Sequence, residues 1–98
     1  MQIKNALITD TNLGYEAHGI LTASIYLECE GGGTTMFGGL NLSGPSCATF
    51  IKQILDTVEV QSWEELKKQY VRVKFDDKGV NYAIGNILSD KWAFIKNF

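Results

Sequence analysis

Apolar and polar residues alternate along several short segments, as in β-strands with one buried face. The clearest alternation covers residues 19–29, where the odd positions from 21 onward are apolar and the even positions are polar. Residues 2–9 predict an earlier strand, and residues 34–37 predict a strand that pairs back after three glycines. Residues 10–14 predict the turn between the first two strands, because Asx side chains and glycine favour turns.

One long amphipathic helix is predicted over residues 47–58. Its apolar residues recur at intervals of three and four and form a single stripe: Cys47, Phe50, Ile51, Ile54, Leu55 and Val58. Ser46 follows the single proline and is predicted as the N-cap. A second, short helix is predicted to begin at Ser62, because Ser62 and Glu65 have the spacing of a capping box.

The C-terminal third predicts a hairpin of two strands, residues 71–75 and 80–84, around a turn at residues 76–79. Gly85 interrupts the second strand, which indicates a bulge or close packing. An aromatic tail is predicted to pack back on the sheet through Trp92, Phe94, Ile95 and Phe98. The predicted fold class is α+β: an antiparallel sheet of about five strands, one main amphipathic helix and a second short helix.

Residues 30–45 hold six of the ten glycines. Glycine reaches positive φ and lets backbone or ligand approach closely, so this segment is either required geometry or a site. We interpret it as a tight hairpin followed by a bulged crossover. The alternative is an anion-binding nest, lined by Gly32, Gly33, Thr34 and Thr35. Neither a Walker A motif nor a dinucleotide-binding fingerprint is present in the sequence.

The single histidine lies in the segment Tyr15-Glu16-Ala17-His18. Glu16 could orient His18 for acid–base chemistry, but no nucleophile is paired with them in the sequence. We interpret the segment as a turn whose polar side chains cap backbone groups. The alternative is an interaction loop that uses Tyr15, Glu16 and His18. Because the two cysteines also lack zinc-ligand spacing, no catalytic residue, metal or cofactor is predicted.

Arg72 and Lys74 share one predicted strand face and follow Lys67 and Lys68. They form either a small basic strip that meets phosphate or an acidic partner, or a solvated outer strand face. Acidic pairs at element ends could together imitate phosphate spacing to a nucleic-acid-binding enzyme, but solvation and capping explain them equally well: Glu28/Glu30, Glu64/Glu65 and Asp76/Asp77. The net charge of −2 argues against nonspecific binding of duplex nucleic acid.

Ninety-eight residues, 45% of them apolar and 20% charged, predict one soluble globular domain. The sequence shows no signal-peptide core and no run of 18 apolar residues, so we expect a cytoplasmic protein without a membrane partner. Cytosolic cysteines are usually buried thiols, and Cys29 and Cys47 are predicted to be so. The oligomeric state is left open.

Several segments resemble a group of small hypothetical proteins found in tailed-phage and prophage genomes. The resemblance follows the chain in order through LGYEAHGILT (13–22), GGL (38–40), FIKQILDTV (50–58), WEEL (63–66), YVRV (70–73) and AIGNILSDKW (83–92). The pattern of the group has an acid at the position of Ala17 and a histidine at the position of Asn86. Both differences weigh against a catalytic or metal site there.

The resemblance implies a phage origin, and small acidic phage proteins without catalytic groups often block host defences by binding. The leading hypothesis is a non-enzymatic inhibitor of a bacterial antiviral system, such as an anti-CRISPR protein, that occludes a host defence protein. It predicts exposed apolar or acidic patches and no deep pocket. A nucleotide-signal binder is the first alternative and predicts a concave polar site. An accessory to phage DNA replication or recombination is the second, and needs a basic groove with aromatic platforms.

Overall fold

Antiparallel strands form one sheet in the computed structural model, which describes residues 2–95. The strands are β1 (Gln2–Tyr15), β2 (Leu21–Cys29), β3 (Thr34–Gly38), β4 (Tyr70–Phe75), β5 (Asn81–Asn86) and β6 (Trp92–Phe94). Their order across the sheet is β3-β2-β1-β4-β5-β6. The helix α1 (Ser46–Val58) and a one-turn 3₁₀ helix (Trp63–Leu66) connect β3 to β4.

The predicted α+β class, with an antiparallel sheet and one amphipathic helix, is confirmed. Within residues 2–95 the sheet has six strands instead of about five, because the aromatic tail supplies β6 at the sheet edge. Phe98, the last member of the predicted tail, lies outside the described residues. The predicted second helix is only the 3₁₀ turn.

The hydrophobic core lies between α1 and the inner face of the sheet. Ile25, Val73 and Ile84 on three different strands are fully buried there. The predicted helical stripe faces the same core, since Phe50 and Ile54 are fully buried. Three members of the stripe are only partly buried and pack at its margin: Cys47, Ile51 and Leu55. Burying such a stripe is the main driving force that holds α1 against the sheet.

The turn predicted at residues 10–14 is wrong, because β1 continues through it to Tyr15. A bulge between Ile8 and Asp10 shifts the register, and β1 remains paired with β2 along the whole length of β2. The Asp10 carboxylate accepts a hydrogen bond from the Thr11 amide at 2.9 Å without turning the chain. The long ladder with β2 outweighs the local turn preference of Asp and Asn. The reversal comes later, before Gly19, which has φ 77°.

The helix ends also differ from the predicted caps. Ser46 is the first helical residue, and Pro45 holds the N-cap position with no side-chain cap. At the 3₁₀ turn, the Ser62 hydroxyl lies 3.3 Å from the Glu65 carboxylate instead of binding a backbone amide. The carboxylate accepts the Gln61 amide at 3.4 Å, so the capping box is incomplete. The sequence spacing predicts the positions of Ser62 and Glu65 in this turn correctly, but the tight 3₁₀ geometry redirects their side chains.

The two ends of the sheet approach each other across the core. The Asn81 side chain on β5 donates to the Thr35 hydroxyl at 2.8 Å and to the Met36 carbonyl at 2.9 Å on β3. The sheet is therefore strongly curved, and the face away from the core turns outward. We call this helix-free face the outer face. It presents alternate residues of the strands, including Leu7, Tyr70 and Arg72.

Candidate functional site

Apolar side chains cross the outer face in a continuous band, which we call the outer-face band: Leu7, Tyr26, Met36 and Tyr70. Tyr26 pairs with Met36 across β2 and β3, and Leu7 pairs with Tyr70 across β1 and β4. Leu7 and Tyr26 are diagonal neighbours, close enough for long side chains to meet. Tyr70 is 61% exposed, Met36 43% and Tyr26 40%. An apolar strip of this kind, spread over four strands, is typical of a partner surface.

A shallow groove of about 220 Å³ lies at one end of this band. We call it the acidic groove, and its lining is Asn5, Ala6, Leu7, Glu28, Cys29, Glu30 and Tyr70. Glu28 lies directly opposite Leu7 on the neighbouring strand. The Glu30 carboxylate is held in place by the Asn5 amide, which donates to it at 2.9 Å. Two carboxylates thus stand beside an apolar wall.

Arg72 and Lys74 lie on the outer face as predicted, but they do not form a free basic strip. The Lys74 ammonium lies 4.2 Å from the centroid of the Trp92 ring, and the Arg72 guanidinium lies 4.7 Å from it. Arg72 also donates to the Asn86 and Ser89 carbonyls, each at 2.8 Å. Two of its donors therefore hold the β5–β6 loop, and both cations cover an aromatic ring.

Asn86 is a structural centre that sequence reasoning did not single out as a site. Its amide group donates to the Thr57 carbonyl at 3.0 Å and to the Glu59 carboxylate at 2.9 Å. Its side-chain oxygen accepts the Leu88 and Ser89 amides at 2.8 and 2.9 Å. The side chain thereby joins the end of α1 to the β5–β6 loop. Asn86-Ile-Leu-Ser-Asp is a turn sequence, but only packing reveals the contact with α1.

The Glu16 side chain organises the turn between β1 and β2, as predicted. One carboxylate oxygen accepts the His18 amide at 2.6 Å and the Ile20 amide at 3.2 Å. His18 Nδ1 donates to the other oxygen at 2.8 Å, and this bond is the main cause that lowers the pKa of Glu16. His18 and Tyr15 remain largely exposed. Glu16 and His18 therefore form a hydrogen-bonded surface turn rather than an enclosed acid–base centre.

A second groove, of about 280 Å³, adjoins this turn on the outer face. We call it the β2 groove, and its lining is Glu16, Ile20, Thr22, Ser24, Gly39 and Asn41. The predicted polar face of β2 is exposed at Tyr26 but buried at Thr22 and Ser24. The segment after β3 causes this, because it continues beside β2 and the Gly39 amide donates to the Ala23 carbonyl at 2.7 Å.

The glycine segment forms the tight hairpin between β2 and β3. Gly32 and Gly33 have φ of 94° and 92°. The Gly32 amide donates to the Cys29 carbonyl at 3.2 Å, so it is already used within the hairpin. Thr34 is exposed, and the Thr35 hydroxyl accepts the Asn81 side chain. This hairpin and the Glu16 turn lie at opposite ends of β2, so the predicted site residues do not converge on one site.

Residues 2–95 contain neither a metal-binding cluster nor a membrane-spanning helix. No group of three or more His, Cys, Asp or Glu side chains there could hold a metal ion. No helix in that part of the chain is long and apolar enough to cross a membrane. Cys29 is buried and Cys47 partly buried, and both are free thiols.

No protein-family model matches the chain. No curated protein matches it, and no solved structure matches it.

Proposed function

We propose that the chain is a non-enzymatic binding protein that covers a basic surface of a folded protein partner with its outer-face band. The observation that carries this proposal is the acidic groove, where Glu28 and Glu30 stand beside Leu7 and Tyr70. An exposed apolar strip with carboxylates at its margin matches the interface pattern of an apolar centre and a polar rim.

The acidic groove has the chemistry to take a lysine or arginine side chain from the partner. The alkyl stem of such a side chain packs against Leu7 and Tyr70, as long cationic side chains do on apolar surface. Its charged end then reaches the carboxylates of Glu28 and Glu30, where charge-assisted hydrogen bonds form. Tyr70 is the expected energetic centre, because interface hot spots are rich in tyrosine.

The two alternative functions find less support in the described residues. A nucleotide carries phosphates, which Glu28 and Glu30 at the acidic groove and Glu16 at the β2 groove would repel. Single-stranded nucleic acid needs open aromatic rings within a basic groove, whereas the exposed Tyr70 ring stands beside Glu28 and Glu30. Trp92 packs against Gly85 and lies under Arg72 and Lys74, so its ring is already occupied.

The proposed partner is a host defence protein with a nucleic-acid-binding surface, which is basic by necessity. The carboxylates of the acidic groove support this choice, together with the resemblance to tailed-phage proteins that the sequence suggests. On this proposal the chain is an anti-CRISPR-like inhibitor that competes with nucleic acid for the partner. The resemblance alone suggests the host setting.

The test begins with capture of host proteins on the purified chain, followed by binding measurements with the captured protein after purification. Tyr70→Ala should weaken binding by about tenfold or more, because it removes the expected energetic centre. Glu28→Lys should weaken binding by about tenfold or more, because it places a positive charge against a basic partner. Tyr15→Ala is the matched control, since Tyr15 is an exposed tyrosine outside the band, and it should change the Kd less than about twofold.

Competition gives a second readout of the same proposal. A short DNA or RNA duplex should displace the chain from the captured protein, and binding should weaken as salt increases. Equal affinity of Tyr70→Ala and the wild-type chain, or a partner that binds without a basic surface, would overturn the proposal.

A further inference from the structure

The β2 groove contains two largely buried polar side chains whose hydroxyls have no hydrogen-bond partner within the described part of the chain. Ser24 is only 5% exposed and Thr22 only 9%. Within residues 2–95, no hydrogen bond reaches either hydroxyl. Among the side-chain nitrogen and oxygen atoms of the buried and partly buried residues in 2–95, Trp63 Nε1 alone lacks both solvent contact and a hydrogen-bond partner. The Thr22 and Ser24 oxygens, which lack a partner, must therefore contact solvent. Both hydroxyls therefore open into the groove that they line.

The wall of the groove beside these hydroxyls is negative and rigid. Hydrogen bonds from His18 and from two backbone amides hold the Glu16 carboxylate in place and lower its pKa, so it is ionised near neutral pH. One of its oxygens accepts two amides, whereas the other accepts only His18 and retains capacity for another donor. A phosphate at this wall would meet like charge.

The remaining lining adds a donor, an apolar surface and space. Asn41 uses its side-chain oxygen to accept the Ser43 amide at 3.0 Å, which leaves its NH₂ group as a donor. Ile20 supplies a partly exposed apolar edge. Gly39 has no side chain, and a Cβ there would stand 4.0 Å from the Ser24 hydroxyl and 3.0 Å from Met36 Cε. The absence of this Cβ keeps the groove open.

We infer that the β2 groove binds a neutral, hydroxyl-rich ligand, namely a sugar ring. Each sugar hydroxyl both donates and accepts, which matches the Thr22 and Ser24 hydroxyls, the free capacity of Glu16 and the amide of Asn41. The apolar C–H face of the ring suits Ile20. The same chemistry is present in a free saccharide and in the ribose of a nucleoside. This inference stands independently of the protein-binding proposal.

An amide NMR titration of the full chain tests the inference with three probes: methyl β-glucoside, adenosine and adenosine monophosphate. Saturable shifts centred on Thr22, Ser24, Gly39 and Asn41 are expected with at least one of the two neutral probes. A response to the glucoside alone assigns the site to saccharides, and a response to adenosine alone assigns it to nucleosides. Either response supports the inference.

The charged probe and two variants make the test decisive. Adenosine monophosphate should bind at least about fivefold more weakly than adenosine because of the Glu16 charge. Ser24→Ala and the isosteric Thr22→Val should each weaken binding of the responding probe about fivefold or more. Thr34→Ala removes an exposed hydroxyl elsewhere and should leave binding unchanged. Absence of saturable shifts with both neutral probes, tighter binding of the phosphate, or no effect of either groove variant would overturn the inference.

Discussion

The Trp92 ring lies directly against Gly85, its pairing partner on the neighbouring strand. A Cβ built on Gly85 would stand 2.5 Å from Trp92 Cε3, which is closer than real Cβ atoms approach. The sequence pattern predicted a bulge or close packing at Gly85. The structure shows close packing there, and the register shift of this hairpin lies between Lys74 and Phe75.

Gly85→Ala should destabilise the fold by about 1–3 kcal/mol, because the added methyl group must displace a packed indole. Chemical denaturation monitored by tryptophan fluorescence measures the change in unfolding free energy. Gly14→Ala is the control, because Gly14 is also a strand glycine but has nothing within 4 Å of its virtual Cβ. Equal effects of the two substitutions would show that the Trp92 contact is not the cause.

Ile54→Ala should cost about 2–5 kcal/mol, since Ile54 is fully buried between α1 and the sheet. Leu55→Ala should cost less, because Leu55 is only partly buried. Lys52→Ala removes an exposed ion pair with Asp56 at 2.7 Å and should cost no more than about 0.5 kcal/mol. Urea denaturation of the three variants measures their unfolding free energies and checks this order. Similar losses of unfolding free energy in Ile54→Ala and Lys52→Ala would contradict the predicted apolar stripe.

Gly38→Ala should be more harmful than Gly32→Ala, although both residues have positive φ. The left-handed conformation alone costs an alanine about 1–2 kcal/mol at either position. At Gly38 the new Cβ would also stand 2.5 Å from the Ala23 carbonyl oxygen, whereas at Gly32 nothing lies within 4 Å. We expect at least about 1 kcal/mol of additional loss at Gly38, measured by denaturation. A smaller loss at Gly38 than at Gly32 would show that the backbone there is not constrained.

Asn86→Ala should lower the unfolding free energy by about 2–4 kcal/mol, because four hydrogen bonds lose a buried partner. Asn86→Asp should restore the acceptor for the Leu88 and Ser89 amides but place a carboxylate against Glu59. The aspartate variant should therefore gain stability as the pH is lowered from neutral. Thermal melts at two pH values measure this, and Asn12→Ala, at an exposed position of β1, serves as the near-silent control.

Glu16 should stabilise the fold at neutral pH and stop doing so in acid. Its pKa is below the usual 4.5 in the folded state, mainly through the His18 bond, so folding favours the ionised form. That stability is present above about pH 4.5 and is lost as the pH falls through the lowered folded pKa. Glu16→Gln should therefore melt below the wild-type chain at pH 7, and the difference should disappear as the pH falls through the lowered folded pKa of Glu16.

A raised Glu16 pKa in His18→Ala, measured by carboxylate NMR, would confirm the cause. An unchanged value would show that the backbone amides of His18 and Ile20 act alone.

The sequence by itself determined the first half of β1, the strands β2 to β5 and the helix α1, but neither the continuation of β1 to Tyr15 nor the strand β6. The alternation in β2 and the stripe around Phe50 and Ile54 are patterns of residues close together in the chain. They predict a strand and a helix because the apolar face of each must be buried, whichever elements form the core. The glycine hairpin and the Glu16 turn were also readable, because both depend on residues close together in the chain.

Tertiary structure alone decided where the strands end, which side chains meet and where the surfaces lie. The bulge at residues 8–10 and the contact of Asn86 with Thr57 depend on partners far apart in the sequence. The outer-face band likewise exists only because β1 lies between β2 and β4. Strand order fixes which residues become neighbours, and it follows from the free energy of the whole packed core rather than from any local preference.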